Sequence, residues 1–465
     1  MALKSGQLRI WIQSHGALHL MNERQFQKTF QEAEAFSNGY DLEMIGSSRS
    51  ESTARFGNNE ISQHVQIEEM SLTIRVQKGR RQGTAVCNDS TPGVLKKTIE
   101  KAMALAECAD SPSDLPEMLP LQRYISFNGF SRETLKLTPL EKVSAIQEII
   151  RQCRPKKLTA AGLFSHGVQV TGIANSRGLF AFHTQTLASF SITIMGQDSS
   201  GWAEGTHWDI QKISPSLLAA AAIEKEQKGR KPKAISPGRY TVLLEPAASA
   251  EILLFMMWDG LGALPYLEGR SFLSGKMGEK VVSEAITLMD DPYHAQTIGL
   301  PFDYEGMPRQ QVTLIEDGMG RRVVHDRNTA RAAGETSTGH ALPQPNTSGP
   351  LPLHLVMRKG DKSLCQMIAE TDRGLLISRF HYTNLIDPIP LSITGMTRDG
   401  TFLIEKGRIK YPVKNLRFTE SIIGALSRVE AVGDETVYAS SFWGAGVVAP
   451  ALKIRDFNFS SGTPF

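Results

Sequence analysis

Gly269-Arg-Ser-Phe-Leu-Ser-Gly-Lys-Met-Gly-Glu-Lys280, followed closely by Pro301-Phe-Asp-Tyr-Glu-Gly-Met-Pro-Arg-Gln310, is the most informative part of the chain. Both segments are polar, glycine-rich and charged, and a generic core does not require two of them in such close succession. The segment that begins at Pro246 reads Ala247-Ala-Ser-Ala-Glu-Ile-Leu-Leu-Phe-Met-Met-Trp-Asp-Gly260. It predicts an apolar helix with no histidine in any register. Phe255, Met256, Met257 and Trp258 are expected to pack in a core or an interface, because methionine fills irregular apolar contacts without chemistry.

At 465 residues the chain is expected to form two or three domains. Apolar residues at 41% and charged residues at 21% match soluble globular usage, and no apolar run reaches the roughly 18 residues of a membrane span. The 51 basic and 48 acidic residues leave a net charge of +3, which gives no electrostatic support for nucleic-acid binding. Four widely spaced cysteines, Cys87, Cys108, Cys153 and Cys365, form no CxxC and point to a reducing, cytoplasmic setting. The first twenty residues lack the continuous apolar core of a secretory signal and are read as part of an extension over residues 1–21.

Three blocks follow, and together they predict an α+β fold whose N-terminal α/β domains precede a large β-rich C-terminal domain. In residues 22–120, Asn22 caps a helix bearing Phe26, Phe30 and Ala33 on one face. Ser71-Leu-Thr-Ile-Arg-Val76 then alternates as a strand, and a helix runs from about Val94 to Cys108. Residues 121–237 open on Thr138-Pro-Leu-Glu141, a capping box with proline at the first helical position. Strands around Val168–Ile173 and Leu187–Met195 and a helix over Pro215–Lys228 come next, then an exposed linker to Pro237. Residues 238–465 begin with the strand Tyr240-Thr-Val-Leu-Leu244 and contain many short strands punctuated by glycine and proline. Gly334 to Pro350 reads as a long mobile loop.

Catalytic signatures are sparse. No HExxH-like motif, GxSxG elbow or Walker loop is present. His15 and His19 are the one close histidine pair, and His325 beside Asp326 reads as a solvent-facing turn. His381, in Arg379-Phe-His-Tyr-Thr383, is expected in a core or groove. Gly395-Met-Thr-Arg-Asp-Gly400 reads as a strand turn.

Five segments in order resemble the TldD/PmbA family, also called the modulators of DNA gyrase. They are Glu51-Ser-Thr-Ala-Arg-Phe-Gly-Asn-Asn-Glu-Ile61, Gly269–Leu273 with Gly278–Lys280, Phe302–Gly306 with Pro308–Gln310, Thr394-Gly-Met-Thr-Arg-Asp-Gly-Thr-Phe-Leu-Ile-Glu405, and Pro412-Val-Lys-Asn-Leu-Arg-Phe-Thr419. The resemblance implies a heterodimeric peptidase that cleaves unfolded peptides and trims peptide precursors. In it, TldD carries zinc on an HExxxH helix with a further cysteine ligand near the C-terminus, and TldE, or PmbA, shares the fold without those ligands. The helix after Pro246 and the cysteine-free region from Asn415 onward lack both parts of that zinc site, so the chain resembles the PmbA type.

The expectation is therefore a chain with no cofactor and no catalytic residues of its own, paired with a zinc-bearing TldD-like subunit. Arg270, Glu305, Arg309 and Arg398 are candidates for holding peptide or partner, or else for fixing loops by buried ion pairs. His381 is a further candidate in a groove. Peptide is expected to add as a strand to a sheet edge, with Gln311–Ile315 and Leu375–Ser378 as candidate edges. The alternatives are a homodimer that binds peptide or protein without cleaving it, and an autonomous peptidase with an unrecognised site. Neither nucleic acid nor membrane is expected as a partner.

Overall fold

The computed structural model describes residues 20–109, 116–127, 129–440 and 446–463. His15 and His19 lie outside them. The α+β architecture expected from the sequence is present, built on two sheets.

The first sheet has six antiparallel strands in the order β3-β2-β1-β4-β5-β6. They are β1 (Asp41–Gly57), β2 (Glu60–Lys78), β3 (Arg81–Cys87), β4 (Thr159–Asn175), β5 (Phe180–Met195) and β6 (Ser200–His207). A tight turn joins β1 to β2, with Asn58 and Asn59 at φ of 52° and 60°. Asparagine tolerates this left-handed backbone, which matches the twist of a hairpin. Because β1 pairs with β4, from Phe56 opposite Gly162 to Glu43 opposite Asn175, one sheet spans both of the first two sequence blocks.

Two helix pairs cover one face of this sheet. Helix α1 (Glu23–Glu34) is capped by Asn22 as expected, and α2 is Pro92–Cys108. They bury Phe26, Leu42, Met44, Leu72 and Ile74. After the short α3 (Arg132–Lys136), α4 (Pro139–Cys153) carries the predicted Thr138–Glu141 capping box, and α5 is Pro215–Lys228. These bury Ala54, Phe56, Ile146, Ile149 and Phe190. Each large apolar side chain so buried contributes about 1.5–3 kcal/mol.

The second sheet has eleven strands. These are β7 (Gly238–Leu244), β8 (Leu288–Asp290), β9 (Val312–Glu316), β10 (Met319–Gly320), β11 (Leu355–Met357), β12 (Arg373–Asp387), β13 (Ser392–Glu405), β14 (Arg408–Pro412), β15 (Leu416–Ser421), β16 (Val429–Ser440) and β17 (Gly446–Gly462). β7 pairs with both β12 and β17, so the path β7-β12-β13-β15-β17 closes on itself. Helix α6 (Pro246–Asp259) packs against β12, β16 and β17. Its Phe255, Met256 and Met257 are buried in the largest core, as the sequence predicts. Four short helices complete the domain: α7 (Ala263–Leu267), α8 (Arg327–Ala333), α9 (Leu364–Ala369) and α10 (Ile422–Ser427). Among the described residues, no helix is long and apolar enough to cross a membrane.

Five local expectations are corrected. Leu375–Ser378 is no edge, because β12 is paired by β7 on one side and β13 on the other. Nor is Gln311–Ile315, since β9 lies between β8 and β10 and the Leu314 carbonyl accepts from Arg321 N–H. The Gly334–Pro350 segment is irregular but fastened: His340 bonds the buried Asp290 and Ala341 N–H donates to Asp303. His325 is buried, its N–H donating to Thr338 Oγ1 at 2.7 Å, while Asp326 caps α8. The Gly395–Gly400 segment lies inside β13, where Asp399 and Gly400 take φ of 55° and 140° without reversing the chain.

Candidate functional site

The Pro301–Gln310 segment docks the two halves of the molecule. Phe302 packs against Ile173, Leu179 and Ala181 of the first sheet and its hairpin. Tyr124 Oη donates to Gly306 O at 2.8 Å. Gly306 sits at φ 81°, and a Cβ there would meet Leu179 Cδ2 at 2.4 Å, so any other residue would strain the backbone and displace Leu179. Asp303 Oδ1 accepts the Glu305 and Met307 N–H groups, and its Oδ2 accepts from Ala341.

Glu305 and Arg309 belong to this buried assembly. Glu305 accepts from Arg327 N–H at 3.2 Å, and Arg309 Nε donates to Phe302 O at 3.3 Å. Burial and the neighbouring Asp303 push the Glu305 carboxyl up. Across the junction Arg75 pairs with the buried Glu43 at 2.8 Å. Arg270 stands apart, exposed and paired with Glu268.

His381 lies elsewhere, in a cleft where the β6 edge of the first sheet meets the second sheet. The cleft holds about 320 Å³ and is lined by Trp202, Glu251, Arg379, His381, Tyr382 and Ser440, among others. A register break between His381 and Asn384 bulges β12. The bulge puts Tyr382 at φ 53° and leaves it 73% exposed, with His381 edge-on to its ring at 4.8 Å. Bulges re-aim side chains in this way next to functional surfaces.

Four contacts clamp the cleft. The Arg379 guanidinium lies 4.6 Å from the Trp202 ring centroid and forks onto Asp399 on the neighbouring strand. Ser200 Oγ donates to the other oxygen of Asp399 at 2.5 Å. Glu204 accepts both Ser440 N–H at 3.0 Å and Ser440 Oγ–H at 2.9 Å. Arg398 is the strand partner of Arg379 and stands 3.8 Å from Asp399, so the structure brings Arg398 and His381 together but separates them from Glu305 and Arg309.

Burial pushes Glu204 up to about 7, against the opposing pull of Ser440 and Arg379. Burial, with Arg398 and Arg379, lowers His381. The cleft thus joins aromatic surface to Ser440, and behind Ser440 stands the raised carboxyl of Glu204, an arrangement that suits a polar ligand. Sequence reasoning missed Trp202, Glu204 and Glu251. Arg379 and Asp399 were within quoted motifs, but their pairing is a property of the β12–β13 register.

The helix to set against the zinc helix that the resemblance assigns to TldD is α6. α6 offers Glu251 and Asp259 but no histidine or cysteine, and Phe255, Met256 and Met257 are core residues. Among the described residues, no three His, Cys, Asp or Glu side chains come together to hold a metal ion. This donor set does not fit a zinc centre.

Residues 43–106, 132–228 and 237–461 match domain 1, the central domain and the C-terminal domain of the PmbA/TldA metallopeptidases. The Metalloprotease TldD homolog of Haemophilus influenzae is 24% identical over 82% of this chain and 85% of its own. Metalloprotease PmbA of Escherichia coli O157:H7 is 23% identical, over 83% and 85%. TldE from Thermococcus kodakarensis superposes with a TM-score of 0.85 at 22% identity, covering 93% of this chain and 99% of that one. With all three domains matched in order, the chain belongs to the PmbA/TldD metallopeptidase family.

Proposed function

We propose that this chain is the PmbA/TldE-type supporting subunit of a TldD/TldE-type heterodimeric zinc metallopeptidase that degrades unfolded peptides or processes peptide precursors. The observation that carries this reading is helix α6. It carries buried Phe255, Met256 and Met257 and no histidine or cysteine, and it stands beside a cleft with aromatic and charged lining. In this reading a TldD-like partner in the cytoplasm holds the zinc and the cleaving machinery. This chain contributes part of the peptide-binding surface.

Its own residues have definite tasks in that scheme. Trp202, Phe380 and Tyr382 offer apolar surface to side chains of varied identity. Ser440 offers polar surface in the cleft and is fixed there by Glu204, whose carboxyl burial raises to about 7. Arg379 is committed to Asp399 and keeps the two sheets in register rather than gripping substrate.

The test is zinc content by plasma mass spectrometry with cleavage of an unstructured peptide, on the chain alone and after mixing with a TldD-like subunit. Cleavage that appears only in the mixture, with the zinc in the partner, is expected. Stoichiometric zinc with cleavage by this chain alone would overturn the proposal in favour of an autonomous peptidase. Peptide binding by a homodimer that a TldD-like subunit leaves unchanged would favour the binding-protein alternative.

A further inference from the structure

The helix layer over the first sheet has a polar gap between its two apolar cores. Along the covered face of β1, Leu42 and Met44 pack under α1 and α2, and Ala54 and Phe56 pack in the core that α4 joins. Between them the same face carries Ser48, Ser50 and Ser52, all buried. Across the sheet Ser52 stands opposite Gln66 on β2 and His166 on β4, so these share the face.

Lys142 of α4 reaches into this gap and is 0% exposed. Its Nζ donates to Ser52 O at 2.6 Å and Ser52 Oγ at 2.7 Å. No carboxylate forms an ion pair with it among the described residues. Glu51 accepts from Thr53, and Glu141 is bound by Thr138 at the α4 N-cap. A buried cation with no directly paired counter-charge is costly, and burial lowers Lys142 to about 8 against the weaker opposing pull of Glu51.

Beside it lies a cavity of about 160 Å³ lined by Ser50, Ser52, Gln66, Leu137, Pro139 and His166. His166 is 9% exposed, and its Nδ1 is buried with no hydrogen-bond partner. Ser52 Oγ also lies 3.2 Å from His64 Nε2. The cavity therefore collects hydroxyls, an unpartnered imidazole nitrogen and the field of a lone lysine. A second cavity of about 260 Å³ shares Ser50 and extends past Ser48 towards Glu68.

We propose that this gap is a second ligand site, separate from the cleft and independent of the peptidase reading, which takes the carboxylate of a small molecule or of a short peptide's C-terminus. The carboxylate sits at Ser50, Ser52 and His166, where it supplies the negative charge that Lys142 lacks. Lys142 acts through Ser52, whose hydroxyl turns to donate to the ligand while its oxygen accepts from Nζ. The remainder of the ligand continues along Ser48 and Ser50 into the second cavity.

Isothermal calorimetry on the full chain tests this with three probes: acetate, N-acetyl-dialanine with a free carboxylate, and N-acetyl-dialanine amide. Binding of the free acid but not the amide is expected, with affinity falling at least tenfold in Lys142→Met. Acetate binding as tightly as the dipeptide acid would identify the source as a small free acid. Binding of the dipeptide acid alone would identify a peptide end. Should Lys142→Met fail to fold, Ser50→Met fills the cavity while leaving the Lys142–Ser52 bonds intact, and it is expected to abolish the same binding. Absence of binding by both acids, equal binding of acid and amide, or binding that survives Ser50→Met would overturn the site.

Discussion

Arg379 lies over the indole of Trp202, its guanidinium carbon 4.6 Å from the ring centroid, and thereby ties strand β12 of the second sheet to β6 of the first. The same guanidinium forks onto Asp399, whose side chain is 2% exposed. Arginine suits this position because its planar head can stack and bond a carboxylate in one geometry. Arg379→Ala leaves the buried carboxylate with Ser200 and the more distant Arg398 as its partners, and it is expected to cost about 3 kcal/mol, the low end for breaking a buried pair. Urea unfolding measures this. Trp202→Phe keeps a ring beneath the guanidinium and is expected to cost less than about 1 kcal/mol. Equal costs for the two variants would show that the Asp399 pair is not what holds the junction.

Glu204 sets a pH dependence. Its folded carboxyl is raised from 4.5 to about 7, mainly by burial. A raised carboxyl favours the protonated folded state, so its penalty on stability is absent below about pH 4.5, grows as pH rises, and is complete above about pH 7. The full penalty is at most about 3 kcal/mol. Glu204→Gln removes it, at the expense of one acceptor for Ser440. Relative to wild type the variant is expected to gain stability between pH 4.5 and 7 and to level off above that range. Urea midpoints measured at half-unit steps of pH check this, and a gap that does not change with pH would refute it.

What could be read from the sequence followed local chemistry. The Asn22 and Thr138 caps, the proline starts of α4, α5 and α6, and the apolar burial of α6 all depend on neighbours within one or two turns. The long hairpin of β1 and β2 was seen only at Ser71–Val76, because much of β2 before it is exposed and lacks the alternation of a half-buried strand. β6 was missed because Gly201 and Gly205 interrupt its pattern. The cleft depends on contacts far apart in the chain, such as Trp202 with Arg379 and Glu204 with Ser440. No spacing rule brings those residues together. The motif residues Glu305 and Arg309 were legible as special, but their place in a buried docking assembly came only with the fold.

Asp290 governs the acid limb of stability. It is fully buried, accepts from His340 Nε2 at 2.8 Å and from His354 N–H at 2.7 Å, and so anchors the segment around His340 to β8. Burial pushes its carboxyl up, but His340 and His354 together outweigh that and hold it well below the ordinary 3.8. A depressed carboxyl contributes stability that is present above its ordinary value and is lost as pH falls below it. Asp290→Asn is therefore expected to be less stable than wild type at pH 7 by about 2 kcal/mol. The difference should shrink as pH falls below 3.8. Acid unfolding followed by near-ultraviolet circular dichroism compares the two, and parallel curves would show that Asp290 carries no such linkage.

Gly201 links fold to cleft. It lies on β6 next to Trp202, where a Cβ would meet the Ala222 carbonyl oxygen of α5 at 2.0 Å and the Glu226 nitrogen at 2.6 Å. Both obstacles are helix backbone, so neither moves aside as a flexible side-chain tip would. Gly201→Ala must therefore push β6 away from α5, an overpacking expected to cost about 2–3 kcal/mol. Because Trp202, Glu204 and Ser200 ride on the same strand, the displacement also disturbs their contacts with Arg379, Ser440 and Asp399. Under the proposed function, Gly201→Ala should weaken peptide binding at temperatures where it remains folded. A substitution such as Gly178→Ala, where a Cβ meets nothing within 4 Å but the backbone stands at φ 88°, should lower stability without that loss. Thermal melts paired with peptide titration separate the two effects, and equal peptide affinity in both variants would remove β6 from the binding surface.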